Sequence, residues 1–338
     1  MRFLGRFLFI IFVAALLFSG ATLALFSSWR NNRIATLDKG SKIADTIAGN
    51  IEFARSGKTG PFVLVFHGAP GGYDQALLLG ESLSSHGYQV IAPSRPGYLR
   101  TPLSTGILPE DQADAMAALL DTLGIDKVAV LGFSAGTPAA TQFAIRHPER
   151  VWGVILVSTL PKAYCPYVSS PRGLLGELML HKSYSDTGSW LLVEESKHFP
   201  VTTVLRMLSW DTKIREQEKN KIAYAISKSP DQLAWFQKLL LTTAPMTVRQ
   251  PGFINDMVLI RGMQKIAYNS IKTPLLVIHG DKDVDTPIAD VKAAMTGLPN
   301  VDMVTVEDSG PIVWLGPNAN SVNQKILTFL QTNAPQSQ

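Results

Sequence analysis

Between residues 62 and 158 the chain alternates four continuously apolar stretches with three helix-length ones, and this rhythm narrows the folds open to it. "FVLVFHG", "YQVIAPS", "KVAVLGF" and "VWGVILVS" lack the in-out alternation of a half-exposed strand, as expected of strands covered on both faces. Of the intervening segments, "DQALLLGESLSSHG" closes at Gly87. "LPEDQADAMAALLDTLG" opens with Pro109 and acids and ends at Gly124, and "TPAATQFAIRHP" follows the third strand. Strands joined by helices of this length pair in parallel through right-handed crossovers. The fold class is therefore α/β, a mostly parallel sheet flanked by helices.

The rhythm stops after Leu160. Residues 161–252 contain no convincing strand, and "RGLLGELML", "SWLLVEES", "VTTVLRMLSW", "KIREQEKNKIAYAIS" and "DQLAWFQKLLLTTAP" all read as helices. Alternation then returns with "NDMVLIRGMQKIAY" as a helix, "TPLLVIHG" as a strand, "IADVKAAMTGLP" as a helix, "VDMVTVE" as a strand and a closing helix from Asn318. The simplest organisation is an α/β core, residues 46–160 and 253–338, interrupted by an all-helical cap at 161–252.

Ahead of the core, "MRFLGR" is a basic start, and residues 7–26 are apolar and uncharged for about the length that spans a bilayer. Residues 1–28 read as a membrane anchor or signal, and 29–45 as a polar linker. The length favours an uncleaved single-pass transmembrane helix. Arg2 and Arg6 favour a cytoplasmic N-terminus, which puts the body on the non-cytoplasmic side. Secretion after signal cleavage is the alternative. The formal net charge is +4, and the first thirty residues hold three arginines and no acid, so the body is close to neutral. A nucleic-acid role has no basic stripe to support it. Cys165 is the single cysteine, read as structural, so no intramolecular disulfide or cysteine metal cluster is expected. No cofactor is implied.

Three segments carry chemistry. "GFSAG", residues 132–136, has a strand entering and a small-residue helix leaving. Glycines let the chain turn sharply and lift Ser134 above the sheet edge, with the backbone N–H of Ala135 aimed where an oxyanion would form. "HGAPGG", residues 67–72, follows the first apolar strand; its His67, Gly68 and Gly71 shape a loop whose Ala69 N–H is the second candidate donor. His67 itself reads as a brace. "HGDKDVDTP", residues 279–287, follows a later strand and offers Asp281, Asp283 and Asp285. Each segment also has a purely structural alternative: a chance serine in a turn, a Gly/Pro turn, a helix-capping acid.

Together, "HGAPGG", "PSRPGYLRT", "GFSAG", "HPERV" and "HGDKDVDTP" resemble, in order and spacing, an α/β-hydrolase with a helical cap over residues 46–335. The resemblance implies Ser134 as nucleophile and Asp283 as the acid. It places the base in a Gly-His segment after the last strand, and that segment here reads "SGPIVWLG", with Pro311 at the base position. Proline has no base to take the serine proton, and loss of the base in such a unit costs on the order of a million-fold in turnover. Of the six histidines, His86 and His147 belong to the far side of the sheet, and His279 packs beneath the acid loop. Only His181 and His198, in the cap, could swing over Ser134.

A serine at the elbow points to acyl transfer: esters, lactones, thioesters or amides. The cap aromatics Trp190, Phe199, Trp210, Trp235 and Phe236 read mainly as packing, with some lining a pocket for a small apolar acyl substrate. "HGAPGG" also resembles proline iminopeptidases, which hold a free amine with acids; Glu194 or Glu195 would be the acids here. Arg95 and Tyr98 of "SRPGY" belong either to the site rim or to a simple turn. Three readings stay open: a serine esterase or acyl hydrolase impaired by Pro311, an inactive binding protein of the same fold, and a membrane-tethered interaction protein. The oligomeric state is unspecified.

Overall fold

The computed structural model describes residues 2–164, 173–181 and 183–335, without the side chains of residues 2–5, 8–11 and 13–18. The chain divides into two compact units, Met1–Gly40 and Ser41–Gln338. The first holds a single helix, α1 (Arg2–Lys39). The transmembrane helix expected over residues 7–26 is not found: among the described residues, no helix is long and apolar enough to cross a membrane. The middle of the apolar run lies outside the described side chains, and the better described half of α1 carries Arg30, Asn31, Asn32, Arg33, Asp38 and Lys39. Residues expected as linker up to Lys39 are helical. Cys165 lies outside the described residues.

The second unit opens with a hairpin, β1 (Lys42–Thr46) and β2 (Gly49–Ser56), which the sequence pattern does not announce. In β1 only Ala44 is buried, too little apolar signal to mark an edge strand. Then come β3 (Phe62–Phe66), α2 (Tyr73–Leu79), α3 (Glu81–Ser85), β4 (Gln89–Pro93), α4 (Pro109–Thr122), β5 (Val128–Phe133), α5 (Thr137–Arg146) and β6 (Val151–Val157). Among the described residues, five helices occupy the next interval, as their spacing predicts: α6 (Gly173–Leu180), α7 (Ser185–His198), α8 (Pro200–Asp211), α9 (Glu216–Lys228) and α10 (Pro230–Leu241). The chain closes with α11 (Gln250–Gly262), β7 (Leu275–Gly280), α12 (Ile288–Met295), β8 (Val301–Val306) and α13 (Ala319–Asn333).

The strands form one sheet in the order β1-β2-β4-β3-β5-β6-β7-β8. β1 and β4 each pair antiparallel to β2, and every other neighbour is parallel. β5 shows why the strands read as unbroken apolar runs. Its period of two sends Val128 and Val130 to a core with α4 and α5, including Met116 and Phe143. Ala129, Leu131 and Phe133 face the other core, with Ile326 and Leu330 of α13. Both faces are covered, so every position is apolar.

α4 starts at Pro109, where a missing N–H costs nothing, and the Asp111 carboxylate accepts the Leu108 N–H at 3.1 Å. α11 begins five residues before the helix read from the sequence, at Gln250 rather than Asn255. Pro251 sits in its first turn, where it starts a helix rather than breaking one. The start also depends on a close approach. A Cβ on Gly97 would lie 2.6 Å from the Gly252 Cα, and one on Gly252 would lie 2.3 Å from the Tyr98 ring. Two glycines thus let α11 lie directly on the "SRPGY" loop, where the Gly97 carbonyl accepts the Gly252 N–H at 2.8 Å.

Candidate active site

β5 delivers Ser134 into a left-handed backbone conformation, φ 48°. A non-glycine residue there is strained and needs its surroundings to hold it. A Cβ on Gly136 would meet the His67 carbonyl at 2.4 Å, and one on Gly132 would meet the Ala140 Cβ at 2.6 Å. Glycines on either side are therefore what let the turn fit between β3 and α5. The Thr137 hydroxyl donates to the Ser134 carbonyl at 2.8 Å and pins the turn from below. Ser134 is half-exposed, and its hydroxyl has no hydrogen-bond partner among the described residues.

Beside the elbow, the 67–72 loop is held from three directions. His67 is fully buried: its Nε2 accepts the Arg95 N–H at 2.9 Å, so Nδ1 carries the proton and donates to the Gly68 carbonyl at 2.8 Å. Burial, and then the charge of Arg95, hold its pKa well below the usual range, so the ring is a neutral brace. The Gly68 N–H is taken by Gln75 Oε1 at 2.8 Å. Arg249, fully buried, donates to the Gly71 carbonyl at 2.5 Å and to both oxygens of Asp74. The Ala69 N–H has no partner among the described residues. Ala135 opens the turn leading into α5, where backbone N–H groups lack intrahelical acceptors.

Arg95 and Tyr98 are not at a rim. Both are fully buried, and both bond the Asp256 carboxylate of α11; the guanidinium also donates to the His67 carbonyl at 2.9 Å. A buried charge needs such a partner set. Through Asp256 and Arg249, α11 and the segment before it grip the 67–72 loop.

The surroundings of Asp283 are arranged differently. Asp283 is buried, with Oδ1 accepting the backbone N–H groups of Asp285 at 2.8 Å and Thr286 at 3.1 Å. Its Oδ2 lies 3.5 Å from His279 Nε2, but that nitrogen donates to the Thr286 carbonyl at 2.9 Å. Burial lowers the His279 pKa, so this contact is not an ion pair. Burial first, then the charges of Asp285 and Asp211, against the two backbone N–H bonds, push the Asp283 pKa up to about 8. Pro311 faces the region with no titratable group, and its carbonyl accepts the Ser158 hydroxyl at 2.6 Å.

Ser134, Ala69, Ala135 and Pro311 line one cavity of about 170 Å³. The inserted helices cover it: Leu192 of α7, Met207 and Trp210 of α8, and Leu239 and Leu240 of α10. Of the aromatic residues expected there, only Trp210 reaches it. Phe199 is 65% exposed, Phe236 is wholly buried, and Trp235 packs on Trp314. Asp211 and Asp285 are the carboxylates on the lining, while Asp283 lies behind it. No histidine lines the cavity among the described residues. His181 is exposed and packs on Tyr184, and His198 is 69% exposed near Glu194. Glu194 and Glu195 are absent from the lining too, and Glu195 is engaged by Arg206. No group of three or more His, Cys, Asp or Glu side chains among the described residues could hold a metal ion.

The sequence matches the family model described as alpha/beta hydrolase fold over residues 61–315, more than half of the chain. The chain belongs to the α/β-hydrolase fold family. A curated relative within it is an uncharacterized hydrolase, YcgS, from Bacillus subtilis (strain 168), 25% identical over 290 residues, covering 84% of this chain and 96% of the relative. A second is a 2-hydroxy-6-oxononadienedioate/2-hydroxy-6-oxononatrienedioate hydrolase from Paraburkholderia phymatum, 26% identical, covering 74% of this chain and 79% of that one. Among solved structures, an alpha/beta hydrolase fold protein from Nakamurella multipartita superposes with a TM-score of 0.78 at 26% identity, covering 86% of this chain and 99% of that one.

For an α/β-hydrolase-fold chain, the motif segments mark the loops that shape the cavity. They do not mark Arg249, Asp256 or Asp211. Asp211 and Asp256 come from helices and Arg249 from the turn before α11, where a single charged residue looks like surface. The one available signal is Arg95: an arginine directly after a continuously apolar strand has to find a carboxylate if the loop is buried, and here it finds Asp256.

Proposed function

We propose that this protein is a serine-dependent hydrolase of a carboxylic ester or similar acyl bond, impaired by Pro311 at the base position. The observation that carries the reading is Ser134, in strained left-handed backbone, sharing one cavity with two candidate backbone donors, Ala69 and Ala135. In the proposed reaction Ser134 Oγ attacks the acyl carbon, and charge developing on the acyl oxygen is met by those two N–H groups. The adduct collapses with cleavage of the acyl–oxygen bond, the alcohol leaves with the proton that Ser134 gave up, and water then hydrolyses the acyl-serine to release the acid. No imidazole relays the serine proton, because Pro311 stands where a base would, and Asp283, with its pKa near 8, has no imidazole to orient toward Ser134. The apolar lining supports a small apolar acyl substrate. No cofactor takes part in the proposed steps.

A single base change separates a histidine codon from a proline codon, and the serine elbow, donor loop and acid are all retained. Pro311 and the absence of any histidine from the described lining favour the second reading, a binding protein that holds an acyl ligand without turnover. Hydrolysis of p-nitrophenyl esters separates the two, with the chain compared with Pro311→His, each with and without Ser134→Ala. A gain of roughly a thousand-fold or more in Pro311→His that Ser134→Ala abolishes supports the hydrolase. Inert protein in all four forms, with saturable binding of an acyl phosphonate, supports the binder.

The basic start and the apolar run of residues 7–26 alone support membrane attachment, with the body on the non-cytoplasmic side. Retention of the full chain in the membrane pellet after alkaline carbonate, and its loss on deleting residues 2–28, is the expected result. Release of the full chain as a shortened, secreted form would replace that reading with signal cleavage.

A further inference from the structure

A second cavity, about 500 Å³, lies between the start of α4, α5 and α11, outside the Ser134 cavity. Its volume falls within the range of about 300–1,000 Å³ of sites that hold small molecules. The lining is mainly apolar, with Leu108, Pro138, Ala139, Leu259, Met263 and Ile266 on its walls. Ala135 and Ile260 belong to both cavities, so a thin wall separates this space from the elbow.

The polar groups on the lining are not equivalent. Arg95 and Asp256 are spent on each other. Lys265 is exposed and has no hydrogen-bond or ion-pair partner among the described residues. Glu110, half-buried on the same lining, makes no ion pair with it. At the mouth, Leu108 and Val258 are 49% and 63% exposed, so apolar surface continues from inside the cavity to its rim beside a free cation. An apolar chamber with one unpaired ammonium group at its edge matches an amphiphile with a hydrocarbon chain and a single anionic head.

We propose that this cavity binds a long-chain carboxylate, with the hydrocarbon chain between α5 and α11 and the carboxylate at Lys265. The site stands independently of turnover at Ser134. Gly262 gives the means to close it. It lines the cavity, and a Cβ built there meets nothing within 4 Å, so a large side chain fills open space without pressing on the core.

The test uses the full chain and a dodecanoic acid carrying a photoreactive diazirine at the chain end, with labelled peptides mapped by mass spectrometry. The expected label falls on residues 138–142 and 258–267. Gly262→Trp lowers it by roughly tenfold or more through blocked space. Gln142→Trp, on the opposite wall, is the second blocking variant should Gly262→Trp lose its thermal transition. Lys265→Glu lowers labelling by the acid several-fold and leaves labelling by the matching diazirine alcohol unchanged. Label confined to the Ser134 cavity, at Met179 or Leu192, or to residues 1–40, overturns the proposal, as does label insensitive to both blocking variants. Equal loss of acid and alcohol labelling in Lys265→Glu overturns the assignment of the head group.

Discussion

The two halves of the Ser134 site are built to different standards. Around Ser134, its carbonyl and both ring nitrogens of His67 are bonded, and Arg95 and Arg249 donate to the carbonyls of His67 and Gly71, with Arg249 Nε alone of these groups lacking a partner among the described residues. Around Asp283, the buried carboxyl accepts two backbone N–H groups and faces His279 Nε2 at 3.5 Å, a ring that burial disfavours from charging. The difference shows that a buried side-chain network holds the 67–72 loop independently of the residue at position 311. A carboxyl buried without a charged partner is pushed toward its protonated form, because nothing offsets the cost of burying the charge.

Pro311→His should erase this asymmetry, and it carries the largest expected effect. Ester turnover should rise by roughly a thousand-fold or more, abolished by Ser134→Ala, in a p-nitrophenyl ester assay. Unchanged turnover would mean that the acid side fails for a reason beyond the missing ring.

The next largest effect is on the intact side. Asp256→Ala strands the fully buried Arg95 charge and should cost about 3–5 kcal/mol in urea unfolding. A loss under about 1 kcal/mol would show that the clamp from α11 contributes little to the loop it grips.

Asp283 gives a pH signature. Its pKa is raised from an ordinary carboxylate value to about 8 in the folded chain, so between those values the native state holds a proton that the unfolded state has released. Its contribution to stability is full below about pH 4, falls as pH rises and is lost above about pH 8, at about 1.4 kcal/mol per unit of pKa shift. Asp283→Asn should flatten that slope in pH-dependent unfolding. Pro311→His should flatten it as well, by giving the carboxylate a cationic neighbour. A slope that survives Asp283→Asn would assign the titration to another group.

The smallest effect sharpens the comparison at the elbow. Gly136→Ala drives a methyl group against the His67 and Phe66 carbonyls and should cost about 1–3 kcal/mol, read as a lowered Tm. An unchanged Tm would mean that the turn has slack, and that Ser134 is less firmly held than its surroundings imply.

Much of this was legible in the chain. The unbroken apolar strands specify a sheet covered on both faces, and the glycines at 132 and 136 specify a sharp turn under Ser134, because both follow from what a residue can bury or what a backbone can adopt locally. The β1–β2 hairpin was not legible, since its outer strand buries a single residue. Nor was the position of the "SRPGY" loop. A turn and a buried clamp place the same residues in the same order, and only Asp256, 161 residues away from Arg95, distinguishes them.

By itself, then, the sequence determined the alternation of strands and helices, the helical insertion, the serine turn and a proline at position 311, all properties of contiguous residues. The tertiary structure decided which charges are buried, that His181 and His198 stay outside the cavity, and that burial raises the Asp283 pKa. Each of these depends on how closely distant segments approach and how much water they exclude, and no local pattern encodes that distance.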